Sequence, residues 1–129
     1  MTRAALALAV LCLAGPAVAA ESATLSQVKT EWQNLYGAIV YTATAQVTNT
    51  GATPLRFVKV RLQLLDKHGK VVAERIGYNL AAEALDADPK AVDAVQPIPP
   101  GASDPVRLSL DKSEIGKPFR TATLTVVGP

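Results

Sequence analysis

Few side chains in this sequence are equipped for chemistry, and their spacing narrows the field further. The only histidine is His68, within the run Asp66-Lys67-His68-Gly69-Lys70. A Ser-His-Asp triad needs an imidazole buried between an orienting carboxylate and a hydroxyl. A histidine between two lysines beside a glycine reads instead as a solvated turn residue. The only cysteine, Cys12, lies in an apolar N-terminal stretch. A thiolate nucleophile is therefore unsupported, as is a zinc centre built from three or four Cys, His or carboxylate ligands. Asp86, Asp88 and Asp93 come nearest to a cation site. They lack the mid-loop glycine and twelfth-position glutamate of an EF-hand, and Asp88 before Pro89 is better explained as a helix cap. Paired carboxylates for glycoside hydrolysis want sugar-stacking aromatics around them, yet Phe, Trp and Tyr make up only 5% of the chain. The expectation is a non-catalytic protein with no cofactor and no metal.

Two features point instead to contact with other molecules. Arg56, Lys59, Arg61, Lys67, Lys70 and Arg75 oppose only Asp66 and Glu74 in one stretch of chain. The following stretch, residues 79–104, carries Glu83, Asp86, Asp88, Asp93 and Asp104 against a lone Lys90. One explanation is a solvated face whose cations block unwanted strand addition at a sheet edge. The other is docking on an acidic partner. The second feature is a set of apolar residues, Val40, Phe57 and Leu65, that fall on outward positions of strand-like runs. Grouped, such residues mark contact patches. The candidate interaction surface is therefore Arg56, Phe57, Lys59, Arg61, Leu65, Lys67 and Lys70. The partner it suits is another envelope protein or an anionic envelope surface. A small-ligand or ion carrier of the periplasm is the alternative.

The envelope enters through the N-terminus. Arg3 precedes an apolar run over residues 4–14, and Gly15 and Pro16 break it before Ala17-Val18-Ala19-Ala20. That is the layout of a cleaved signal peptide, predicted here over residues 1–20. A spanning helix needs roughly 20 consecutive apolar residues, and Pro16 comes too early. A lipoprotein signal would place a small residue before Cys12 and a polar tether after it, where Leu11 and Leu13-Ala14 stand. Of 129 residues, removing twenty leaves 109, one domain over residues 21–129, exported to the periplasm or the medium. Of thirteen basic side chains only Arg3 lies in the leader, leaving twelve against eleven acidic ones. That balance gives no reason to expect nucleic acid. With Cys12 removed no disulfide is available, so an apolar core alone must hold the domain, as about a hundred residues can manage.

The elements that must build this core are strands. Ile39, Tyr41, Ala43, Ala45 and Val47 alternate with Val40, Thr42, Thr44, Gln46 and Thr48, the period of a strand with one buried face. After a turn at residues 50–54, Val58, Val60, Leu62 and Leu64 alternate with Phe57, Lys59, Arg61, Gln63 and Leu65. The two arms form the centre of the fold, pairing directly or crossing between sheets. Leu25, Val28, Trp32 and Leu35 recur at three and four, which also fits a helix. Thr30 and the run that follows favour a strand, in two short pieces bent near Trp32. Trp32 itself is expected in the core, since a ligand platform would need aromatic neighbours. The run Asp66-Lys67-His68-Gly69-Lys70 leads to a strand over 71–78, with Val72, Ile76 and Tyr78 sharing a face and Glu74 at its rim. Residues 79–104 read as a long connection with short helical turns, Asn79 capping the first and Asp88 the second. Strands return at 105–110 and 119–127. The pattern predicts an all-β fold, an antiparallel immunoglobulin- or fibronectin-like β-sandwich of about seven strands.

The runs Ala45-Gln46-Val47-Thr48-Asn49 and Phe57-Val58-Lys59-Val60 are followed by Leu62-Gln63-Leu64-Leu65-Asp66-Lys67-His68-Gly69-Lys70-Val71-Val72. Together they resemble the FxLYD-type bacterial domain, named for a Phe-x-Leu-Tyr-Asp run before a Gly-containing turn. Leu64 and Asp66 match that run, while Leu62 stands for its Phe and Leu65 for its Tyr. Ile98-Pro99-Pro100-Gly101-Ala102-Ser103 resembles the family's proline–glycine loop before a strand. The likeness covers residues 38–127. It implies an exported immunoglobulin-like module with no catalytic residues to carry over. The long 79–97 stretch departs from the family's short connection.

Overall fold

The computed structural model describes residues 22–128. The expected leader and Cys12 lie outside them. The first stretch is one strand, β1 (Ala23–Leu35), antiparallel to β2 (Ala38–Asn49). Tyr36 and Gly37 turn the chain with φ of 54° and 92°, the mirror-image geometry that matches strand twist in a two-residue hairpin. The Asn34 side chain accepts from the Gly37 N–H at 2.9 Å and closes the loop. The bend expected near Trp32 falls earlier, as a bulge between Ser26 and Lys29 where Gln27 adopts φ of 53°. The ladder resumes beyond it, so a single bulged strand stands where two pieces were expected. That is why the described residues form six strands and not seven.

β2 also pairs with β5 (Ser103–Asp111), and β3 (Lys59–Leu65) lies between β4 (Val71–Tyr78) and β6 (Thr121–Gly128). The result is two antiparallel three-stranded sheets, β1-β2-β5 and β4-β3-β6. The two central arms therefore do not pair; residues 50–58 carry the chain from one sheet to the other. Asn49 fixes that crossing. Its buried side chain donates to the Thr53 and Ile98 carbonyls and accepts from the Gly51 N–H. Leu55 and Ile98 then exchange main-chain bonds of 2.9 and 2.7 Å, tying the crossing to the proline-rich segment.

The core follows the alternation of the two arms. Ala43, Ala45 and Val47 from β2 meet Val58, Val60, Leu62 and Leu64, with Val106, Leu108 and Leu110 closing from β5. Each leucine taken fully out of water contributes about 1.5–3 kcal/mol. β4 departs from expectation. A register shift opposite Leu64/Leu65 separates Val72 from the rest of its row. Ala73, Arg75 and Gly77 then stand beside the inward Leu64, Leu62 and Val60, leaving Ile76 exposed on the outer face. Gly77 lets Leu108 pack close to the β4 main chain there: a Cβ would meet Leu108 Cδ2 and oblige that side chain to move.

Residues 79–104 carry short 3-10 turns at Leu80–Ala82 and Ala91–Ala94 and a one-turn helix, α1 (Ala84–Ala87). Ala82, Leu85 and Val95 are buried against Phe57 and Tyr78, a second small cluster. Asn79 caps nothing with its side chain. It is buried, accepts from the Val58 N–H at 2.9 Å and donates to Asp104 Oδ2 at 2.8 Å. Asp104 takes over the first turn instead, accepting from the Ala81 N–H. Asp88 does not cap the second turn either: it closes α1, its side chain accepts from the Lys90 N–H, and the turn Ala91–Ala94 begins after Lys90 with no side-chain cap.

Candidate functional site

Trp32 is not core. It is 47% exposed, held on β1 directly opposite Tyr41 of β2. The two rings meet edge to face with centroids 5.1 Å apart. Phe119, just before β6, packs edge-on to Tyr41 at 4.9 Å and lies 6.1 Å from Trp32. Such arrangements are preferred because the positive edge of one ring meets the negative face of another. The three rings floor a groove on the flank where β1 faces β6. Thr30 and Glu31 form one wall; Lys112, Ile115, Lys117 and Pro118 form the other. Ile39, two residues before Tyr41 on the same face of β2, is also exposed, as is Tyr36 in the turn.

The far wall of this groove is a built structure. Asp111 accepts from the Ser113 N–H and Glu114 accepts from the Asp111 N–H, a reciprocal box that fixes the turn Lys112–Glu114. The Ser113 N–H and hydroxyl hold the Asp111 carboxyl below the usual carboxylate range. Arg75 reaches Glu114 at 2.6 Å and so links β4 to the same turn. Lys112 and Lys117 are therefore presented from an anchored segment.

The seven residues singled out as an interaction surface are spread along the other sheet. β3 is seven residues long, so its ends stand roughly 20 Å apart at about 3.3 Å per residue. At one end Arg56 pairs with Asp93 at 3.2 Å, and the basic stretch meets the acidic connection there. Phe57 is half-buried against Tyr78, ring centroids 5.5 Å apart. Lys59 Nζ lies 5.9 Å from the centre of the Tyr78 ring. Arg61 approaches Glu74 at 3.7 Å, and Leu65 is half-buried. Lys67 and Lys70 stand exposed at the far end, in a tip organised by Asp66, which accepts from the His68 and Lys70 N–H groups. Val40 is buried on the opposite sheet, between Gln33 and Asp111 in register, and adds nothing to an outer patch. Among the described residues no three His, Cys, Asp or Glu side chains gather as a cation site would require.

A model of a family described as a protein of unknown function, DUF3426, matches residues 19–121. The chain belongs to the DUF3426 family. No curated protein and no solved structure matches it. The DUF3426 match takes in all three groove aromatics, Trp32, Tyr41 and Phe119. Sequence reasoning missed this cluster because its members come from three separated segments. Two of its three members were accessible: counting back from the two-residue turn at Tyr36–Gly37 sets Trp32 opposite Tyr41. Nothing in the sequence announced Phe119.

Proposed function

We propose that this DUF3426 chain is a non-catalytic interaction module of the bacterial cell envelope. It is exported by the segment 1–20, built on an immunoglobulin-like plan akin to FxLYD-type domains, and docks a partner on the Trp32–Tyr41–Phe119 groove. One observation carries the reading: the only tryptophan of the chain stands half-exposed in an aromatic cluster. Tryptophan and tyrosine are the residues that most often dominate binding energy, and grouped exposed apolar surface marks contact sites. Lys112 and Lys117 at the rim favour an acidic partner. The basic hairpin is a second surface, of which Lys67 and Lys70 form no ion pair among the described residues.

The test is crosslinked capture from the intact envelope with the tagged wild type, Trp32→Ala/Phe119→Ala, and Lys67→Glu/Lys70→Glu. The groove variant is expected to lose the captured proteins and the hairpin variant to keep them. The reverse result transfers docking to the hairpin. A protein that captures nothing, yet is thermally stabilised by small apolar compounds in a Trp32-dependent way, is a periplasmic carrier instead.

A further inference from the structure

Two three-stranded sheets have four edge strands, and three of these are visibly guarded. β1 carries the bulge at Gln27, with Lys29 and Glu31 beyond it. β5 carries Pro105, which offers no N–H, together with Asp104 and Arg107, and Asn79 bridges to it at Val106. β4 presents Glu74 and Arg75 and has its own register shift. Bulges, prolines and charges are the usual means of keeping an edge from pairing with another chain. β6 carries neither proline nor charge along its length, and its one bulge sits at its far end, at Val127. Thr121-Ala122-Thr123-Leu124-Thr125-Val126-Val127-Gly128 is uncharged, contains no proline, and shifts register only at its last pair. It pairs with β3 alone among the described residues.

The side-chain layer is unfinished at the same place. In register, Leu64, Leu62 and Val60 of β3 are fully buried, while their β6 neighbours Ala122, Leu124 and Val126 are only half-buried. Trp32 stands exposed on the facing sheet. Where β6 begins, Lys117 and Arg120 are exposed and Lys112 lines the groove with Glu31, while Asp111 and Glu114 of the same turn are engaged by Ser113 and Arg75.

We propose that β6 accepts an extended segment of another protein as a seventh, antiparallel strand. Its main chain pairs with the open β6 edge, as in strand-addition complexes generally. Apolar side chains at every second position continue the row Ala122, Leu124 and Val126, and the last of them seats on the Trp32–Tyr41–Phe119 groove. Antiparallel pairing brings the C-terminal end of the segment beside Thr121. The segment is therefore acidic at that end, facing Lys112, Lys117 and Arg120. This deepens the docking reading and rests on it.

The experiment selects a random decapeptide library on the purified mature chain, then resynthesises the enriched peptide. Selection is expected to converge on apolar residues at period two with acidic residues towards the C-terminus. The peptide should slow hydrogen exchange at β6 amides. N-methylation at one of the two alternate sets of its residues should weaken binding at least tenfold, and Lys117→Glu/Arg120→Glu should weaken it similarly. Convergence on helical spacing, no enrichment, or equal binding by both N-methylated peptides overturns strand addition. So does a chain that is already a dimer through β6 without peptide. If both N-methylated peptides bind but Trp32→Ala does not, strand addition falls and groove docking stands. If Trp32→Ala also binds equally, both fall.

Discussion

Asn79 shows how much one polar side chain determines here. It occupies the junction of β4, the connection and β3, buried, with its amide oxygen on the Val58 N–H and its nitrogen on Asp104. Asn79→Ala leaves the Val58 N–H without its partner and should cost about 1–3 kcal/mol, the desolvation penalty of an unsatisfied buried group; denaturant melts measure it. Gly77→Ala drives a methyl into Leu108 and should cost about 1–3 kcal/mol by overpacking. Leu108→Ala in the same chain should recover part of that loss, which a double-mutant cycle reads directly. Trp32→Ala should cost only about 1–2 kcal/mol, below the roughly 3–5 of a fully buried aromatic, because the ring is half in water. The carboxyl of Asp111, lowered by its bonds from Ser113, adds stability above the usual carboxylate range. That stability is lost as pH falls through the lowered value, and an NMR titration of Asp111 should place its midpoint below the usual range.

Strands were the most legible elements, and the reason is burial on one face. In β2 and β3 each inward residue alternates with an outward one, so the period survives in the sequence. Leu62→Ala or Leu64→Ala should therefore remove about 2–5 kcal/mol, while the outward Gln63→Ala stays within about 0.5 as an ordinary surface change. β4 was misread because a bulge at Val72 shifts its register near its start and its inward row includes Arg75 and Gly77, neither an apolar signal. β1 is the strand expected, but its irregularity is a bulge at Gln27 and not a bend near Trp32, so it runs as one piece. The connection over residues 79–104 was legible as turns but not as a lid on Phe57 and Tyr78, since Ala82, Leu85 and Val95 meet those rings only in three dimensions. Leu85→Ala should destabilise by about 2 kcal/mol or more, an effect absent if the connection were a loose arm.

At the scale of the molecule, charge and apolar surface divide between two regions. The basic stretch foreseen from the sequence meets its acidic counterpart within the chain at Arg56–Asp93, leaving the hairpin tip as its free end. The aromatic groove and the unguarded β6 lie together on the open flank between the sheets. That asymmetry depends on how β1 and β6 face one another across the sandwich, which no local pattern encodes. The central claim, that the groove is where this module meets its partner, is tested most directly by site-specific photocrosslinking in the intact envelope. A photoreactive residue at position 32 should give a discrete adduct, and one at position 67 should give none. An adduct from position 67 with none from position 32 would contradict the account.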